Sequence, residues 1–137
     1  MSSEIIDIKN LSKSFYQNKN QISILRNTDF NVSKGDIISI AGPSGSGKST
    51  FLNILGLLDS EFVGDYYFLQ KNTKKLKINL KNIIRNKSIG FVHQFFHLIP
   101  ELNVLENVCL PNLINGNTYN KSQIHSKDIL VNFGLQD

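Results

Sequence analysis

Cysteine occurs once in the 137 residues, at Cys109, so the chain cannot close an internal disulfide. No run approaches the ~18–20 apolar residues that a membrane span requires. The longest near-apolar stretch is FLNILGLL at 51–58. The amino end, MSSEIIDIKN, has neither the positively charged start nor the apolar core of a secretory signal. With one thiol and no such signal, a reducing cytoplasmic setting is expected. Acidic side chains are absent between Asp65 and Glu101, where Lys71, Lys74, Lys75, Lys77, Lys81, Arg85 and Lys87 fall. Such a stretch suits a nucleic-acid or anionic-lipid surface, or a solvated loop and helix face in a Lys- and Asn-rich chain. No aromatic residue falls between 71 and 87, so the stacking platforms of nucleic-acid grooves are missing. The solvated face is the simpler expectation, and no nucleic-acid partner is expected.

The remainder reads as an ordinary globular chain, 40% hydrophobic and 19% charged with a net charge of +4. Its length is one domain's worth, enough to bury a core. EIIDIKNLSKSF and ISILRNTDFNV (22–32), the latter closed by SKGD, predict an antiparallel hairpin-type layer with one wet face. DIISIAG (36–42) and SIGFVHQ (88–94) alternate little and predict strands buried on both faces of a parallel sheet. DYYFLQ (65–70) predicts a further strand. From Lys48 to Leu58, apolar residues surround the helical wheel, which predicts a largely buried helix. Asn103 and Glu106 stand at capping-box spacing and predict a helix start, and a last helix is expected from about Ser122 to Phe133 with Gly134 in the C-cap position. The alternation of strands and helices gives an α/β class.

Between the first buried run and its helix, GPSGSGKS (42–49) satisfies G-x-x-x-x-G-K-[ST] in full. Gly42, Gly45 and Gly47 let the backbone curl so that successive N–H groups point inward, with Pro43, Ser44 and Ser46 between them. The helix N-terminus adds unbonded N–H groups and the positive end of its dipole. In that arrangement Lys48 reaches the β- and γ-phosphates of a nucleotide, Ser49 offers its hydroxyl to Mg²⁺, and Thr50 lies nearer the α-phosphate. Nucleotide binding is therefore the expectation. His93 and His97 are four apart but lie beyond a strand with no third ligand in sight, so no metal centre is expected there. Cys109, in an apolar helix, reads as a core residue.

LSKSFY (11–16) and ILRNTDFNVSKGDIISIAGPSGSGKSTFLNILGLLD, followed by SIGFVHQFFHLIPELNVLENV, resemble the ATP-binding subunit of ABC (ATP-binding cassette) transporters, and the resemblance covers nearly the whole chain. GFVHQFFHLIPELNVLENVCLP is most similar to the lipoprotein-releasing and macrolide-exporter type. The resemblance implies a P-loop NTPase core with an N-terminal antiparallel β layer and the start of a helical subdomain. Residues 1–94 would hold the β layer and core, and about 95–137 the glutamine loop and the first part of that subdomain. It implies that Tyr16 stacks on adenine, with Phe15 as competitor, and that Gln94 contacts Mg²⁺ and the attacking water. It further implies ATP and Mg²⁺ as cofactors, transmembrane permease subunits and a second ATP-binding subunit as partners, and a peripheral place on the inner face of the cell membrane.

The family pattern also holds an LSGGQ signature, a strand ending in Asp-Glu and a switch histidine, and none of these occurs in the chain. ILGLLD (54–59) mimics the acidic strand, but Asp59 would lie about 15 Å along the helix leaving the loop. Two readings stay open: the front part of a longer ATPase, or a short regulatory or interaction module that binds nucleotide without hydrolysing it. A small P-loop kinase is more remote, since no lid arginine cluster is found. Strand edges left unpaired would make the isolated chain prone to association.

Overall fold

The computed structural model describes residues 4–135; the first three residues of MSSEIIDIKN and the last two of NFGLQD lie outside that range. The chain divides into two compact units, split between Lys81 and Asn82.

The first unit is built on two long antiparallel strands, β1 (Glu4–Gln17) and β2 (Asn20–Ser33). Their two-residue connection, Asn18 and Lys19, has φ of 48° and 67°, the type I′ geometry whose twist matches that of the strands. Asn10 (φ 53°) and Asn27 (φ 42°) also enter the left-handed region, which asparagine tolerates better than most residues, and the ladder slips between Ile8 and Leu11. Side chains hold these kinks: the Asn10 N–H donates to Asp29 Oδ1 (2.6 Å) and the Asn27 N–H to Ser12 Oγ (2.9 Å). The slip changes which residues face inward, from Ile8 before it to Leu11 and Lys13 after it.

After β2 comes α1 (Lys48–Leu55), then β3 (Val63–Phe68) and β4 (Lys71–Asn72), giving the sheet order β2-β1-β3-β4, antiparallel throughout. The expected antiparallel layer is therefore formed, and DYYFLQ contributes to it as β3. Helix α1 buries Phe51 and Ile54, and Phe51 meets Phe30 of β2 edge-on at 5.1 Å. At its far end the Tyr66 hydroxyl of β3 donates to the Leu55 carbonyl (2.7 Å), satisfying one of the acceptors a helix C-terminus leaves open. Burial raises the Tyr66 phenol above its ordinary value near 10. The unfolded chain therefore loses that proton first. Stability is full below about pH 10 and falls as pH rises above it. Tyr66→Phe is expected to cost about 1 kcal/mol at neutral pH by urea denaturation, and to flatten that alkaline decline.

Helix α2 (Ile78–Ser88) crosses the boundary. The second unit adds α3 (Val104–Ile114) and α4 (Tyr119–Asn132), which pack on each other. The capping box at α3 is formed: Glu106 N–H donates to Asn103 Oδ1 and Asn103 N–H to Glu106 Oε2, both at 2.9 Å. Cys109 is fully buried on α3, as expected of a core residue. Helix α4 begins three residues before its expected start, and Gly134, φ 71°, follows its C-cap Phe133.

Three expectations are corrected. DIISIAG and SIGFVHQ form no strand, and they are exposed: Ile37 at 100% and Val92 at 102%. A strand buried on both faces needs ladder partners and cover on each side, and neither run has a ladder among the described residues. The α1 helix ends at Leu55 rather than Leu58, and it is not buried all round, since Leu52 and Leu58 are about half exposed. Last, the Lys-rich stretch is not wholly a solvated face: Lys81 is buried, its ammonium donating to Ser60 Oγ at 2.9 Å.

Candidate phosphate-binding site

The loop 42–47 enters α1 through Gly47, the N-cap, which is left-handed at φ 91°. Gly45 is left-handed as well, at φ 81°, so the backbone reverses hand within three residues as an anion nest does. Ser46 N–H closes a turn onto the Pro43 carbonyl (3.3 Å). The first intrahelical hydrogen bond runs from Phe51 N–H to Gly47 O at 2.8 Å, so the N–H groups of Lys48, Ser49 and Thr50 stand ahead of the ladder. The first turn of α1 carries no acidic residue to oppose an anion there. A concavity of about 240 Å³ opens at this point, lined by Ser44, Gly45, the run Gly47 to Thr50 and Ile24 of β2.

Ile24 fixes the loop against the hairpin. A Cβ on Gly47 would stand 2.6 Å from Ile24 Cγ2, and the left-handed φ is costly for any other residue. Gly47→Ala is expected to destabilise the chain by about 1–3 kcal/mol through strain and contact together. Adding Ile24→Ala should recover the contact part only, which a thermal-melt double-mutant cycle separates.

Lys48 folds back over the loop, its ammonium donating to the carbonyls of Gly42 (2.8 Å) and Pro43 (2.7 Å). Among the described residues it has no ion-pair partner, so no acid there compensates its charge. The Ser49 side chain is exposed on the same turn. No group of three His, Cys, Asp or Glu able to hold a metal occurs among the described residues. One hydroxyl oxygen is nevertheless a fitting donor for Mg²⁺, which binds through one or two protein oxygens and otherwise through phosphates and water.

Tyr16 lies opposite Gln21 at the turn end of the β1-β2 hairpin, three residues along β2 from Ile24, hence roughly 10 Å by strand rise. It is 76% exposed. Phe15, its competitor, has the Lys13 ammonium 4.9 Å from its ring centre, which leaves Tyr16 the freer aromatic face. Gln94 belongs to the second unit, exposed in an irregular stretch rather than at a strand end. Beside it the His93 ring stacks on Phe91 (5.2 Å between centres) and meets His97 edge-on (4.7 Å). Within the first unit the structure thus places Tyr16 and the loop 42–50 on one hairpin-and-helix frame.

Asp59 lies past the end of α1 and is occupied: its carboxylate oxygens are 3.0 and 2.8 Å from Lys13 Nζ. It also accepts from Glu61 N–H at 2.8 Å. Sequence reading set Asp59 aside as a metal ligand but gave no sign of Lys13 as its partner, because an exposed lysine and a buried one look alike until the bulge at Asn10 is known.

A family model described as ABC transporter matches residues 25–137. Among curated proteins, the chain is 38% identical over 133 residues to the lipoprotein-releasing system ATP-binding protein LolD of Zymomonas mobilis, covering 97% of this chain and 57% of that protein. It is 40% identical over 134 residues to the protein of the same name in Alcanivorax borkumensis, covering 98% and 59%. The chain therefore spans less than two thirds of the length of these relatives. Among solved structures, a dimeric form of the ATP-binding cassette MJ0796, described as a post-hydrolysis state bound to ADP and Pi, superposes with a TM-score of 0.82 at 38% identity. That match covers 91% of this chain and 55% of the other.

Proposed function

The chain belongs to the ABC transporter family, and from that premise we propose that it grips the phosphates of ATP within an ATP-binding subunit whose cycle drives membrane partners. The observation that carries this reading is the uncompensated Lys48 ammonium, poised over a curled loop at a helix N-terminus. In this reading the N–H groups of 45–50 and Lys48 hold the phosphate chain. Ser49 supplies one oxygen to Mg²⁺, and Tyr16 stacks on the base. Gln94 serves as a neutral amide that meets Mg²⁺ and the attacking water and signals their presence to a permease. Residues up to about 94 form the β layer and core of the domain, and those beyond begin its helical part. Mg²⁺ would neutralise phosphate charge, while the chain's own part is binding and orientation.

Likeness to proteins named for lipoprotein release supports release or export as the process served, with a second ATP-binding subunit and transmembrane permeases as partners at the inner membrane face. No helix among the described residues is long and apolar enough to cross a membrane, so the proposal assigns the crossing to those partners. Because Asp59 is held by Lys13, the reading gives Asp59 no part in hydrolysis.

Thermal melting tests the proposal. At Mg-ATP about a hundredfold above Kd, binding adds ~2.7 kcal/mol, which raises the melting temperature by roughly 8–10 °C for a chain of this size. Tyr16→Ala should weaken ATP binding about tenfold or more, the size of one lost base stack. A melting temperature indifferent to Mg-ATP at every concentration would sink the reading.

A further inference from the structure

The turn that joins the sheet of the first unit to α2 carries an unusual surface. Thr73 is buried and its hydroxyl donates to the Tyr66 carbonyl (2.9 Å), while Asn72 Oδ1 accepts from Lys74 N–H (3.0 Å). These bonds pin a single 3₁₀ turn, Thr73–Lys75, to β3. With Thr73 fixed inward, Lys71, Lys74, Lys75 and Lys77 are all exposed; none makes an ion pair among the described residues, and the Lys74 ammonium lies 5.1 Å from the centre of the Phe62 ring. Two exposed apolar side chains flank them, Leu69 (48%) and Ile78 (64%). The lysines also precede a helix whose first turn holds no acidic residue, the end of a helix dipole where cations are least favoured. Within the segment 66–100 no acidic residue dilutes this charge, and the two aliphatic side chains stand within a few residues of the lysines.

We propose that this basic turn is a direct contact for an anionic lipid surface. The pairing of clustered lysines with exposed aliphatic side chains suits that partner. The lysines meet lipid phosphates and carboxylates, and Leu69 and Ile78 enter the headgroup layer. A nucleic acid fits less well, because bases require free stacking partners: the segment 71–87 has no aromatic residue, and the Phe62 ring beside Lys74 is already faced by that ammonium. The contact involves none of the phosphate-loop residues and stands whether or not the nucleotide reading holds.

Each lysine near an anionic surface contributes about fivefold in partitioning. The four together contribute on the order of several hundredfold. The full chain is mixed with vesicles of phosphatidylcholine alone, or with a third phosphatidylserine, and sedimented at low and high salt. Binding is expected to the serine-containing vesicles only, and to fade as salt shortens the Debye length from ~10 Å at 0.1 M to ~3 Å at 1 M. Lys71→Glu, Lys74→Glu, Lys75→Glu and Lys77→Glu combined should abolish it. An equal charge change elsewhere, Lys9→Glu, Lys19→Glu, Lys121→Glu and Lys127→Glu, should largely preserve it. Equal binding to both vesicle types would overturn the proposal, as would loss in both quadruple variants alike. Capture of single-stranded oligonucleotides with no vesicle binding would overturn it in favour of nucleic acid. A normal melting temperature for the first variant separates lost contact from lost fold.

Discussion

Lys48→Ala is expected to eliminate the rise in melting temperature that Mg-ATP should produce, while changing the melting temperature without nucleotide little. The asymmetry comes from what the ammonium touches. Among the described residues it donates to two loop carbonyls, those of Gly42 and Pro43, on a surface where water can replace it. Its removal therefore costs little folding energy, and alanine is the better helix former at that position. Toward a phosphate the same group acts as a full charge. At about 4 Å and an effective dielectric near 20, that attraction is ~4 kcal/mol, equivalent to roughly a thousandfold in affinity. Nucleotide at a hundred times the wild-type Kd would then sit at about a tenth of the variant's Kd, where the stabilisation is negligible. Lys48→Arg should fall between, because a planar fork cannot occupy the place of a compact ammonium between two carbonyls. Calorimetric titration alongside the melts provides the check. A variant that keeps the full nucleotide-dependent rise would show that the loop holds phosphate without its lysine, and the proposed role would be wrong.

How much of this was legible in the sequence depends on the range of the interaction concerned. The phosphate loop was readable because its chemistry is local: two left-handed glycines, a lysine and a hydroxyl, fixed by short-range geometry at Gly45, Gly47, Lys48 and Ser49. The capping box of Asn103 and Glu106 was readable for the same reason. The runs 36–42 and 88–94 failed as strands because an apolar run reports only a tendency toward burial. A strand also needs partners for its backbone, and those are supplied by other segments. Lys13 shows a subtler limit. Simple alternation from Ile6 and Ile8 would put Lys13 on the opposite face, yet the kink at Asn10 turns it inward beside Leu11. One asparagine in a left-handed conformation thus decides whether a charge is solvated or buried, and hence what Asp59 is for.

That last point leads to the other large effect: Asp59→Ala should lower stability by about 2–3 kcal/mol, a fall in melting temperature of roughly 7–10 °C. Lys13 retains only 4% of its side-chain exposure, and Asp59 Oδ2 lies 2.8 Å from its ammonium. Removing the carboxylate leaves a buried cation whose other acid among the described residues is Glu61, 3.9 Å away and 95% exposed, where solvent screens it. Breaking a buried pair from one side typically costs ~3–5 kcal/mol, and the lower figure here reflects the 22% exposure of Asp59. The backbone turn at Glu61 also loses the acceptor for its N–H. The double variant Lys13→Met with Asp59→Leu should regain most of the loss, since no charge is then stranded. If Asp59 served Mg²⁺ instead, the pattern would be reversed. Asp59→Ala would keep its urea midpoint and lose the magnesium dependence of ATP binding, and the double variant would bind no better than the single. Urea midpoints for the three variants, with ATP titrations at varied magnesium, distinguish a strand-anchoring ion pair from an acid of the nucleotide site.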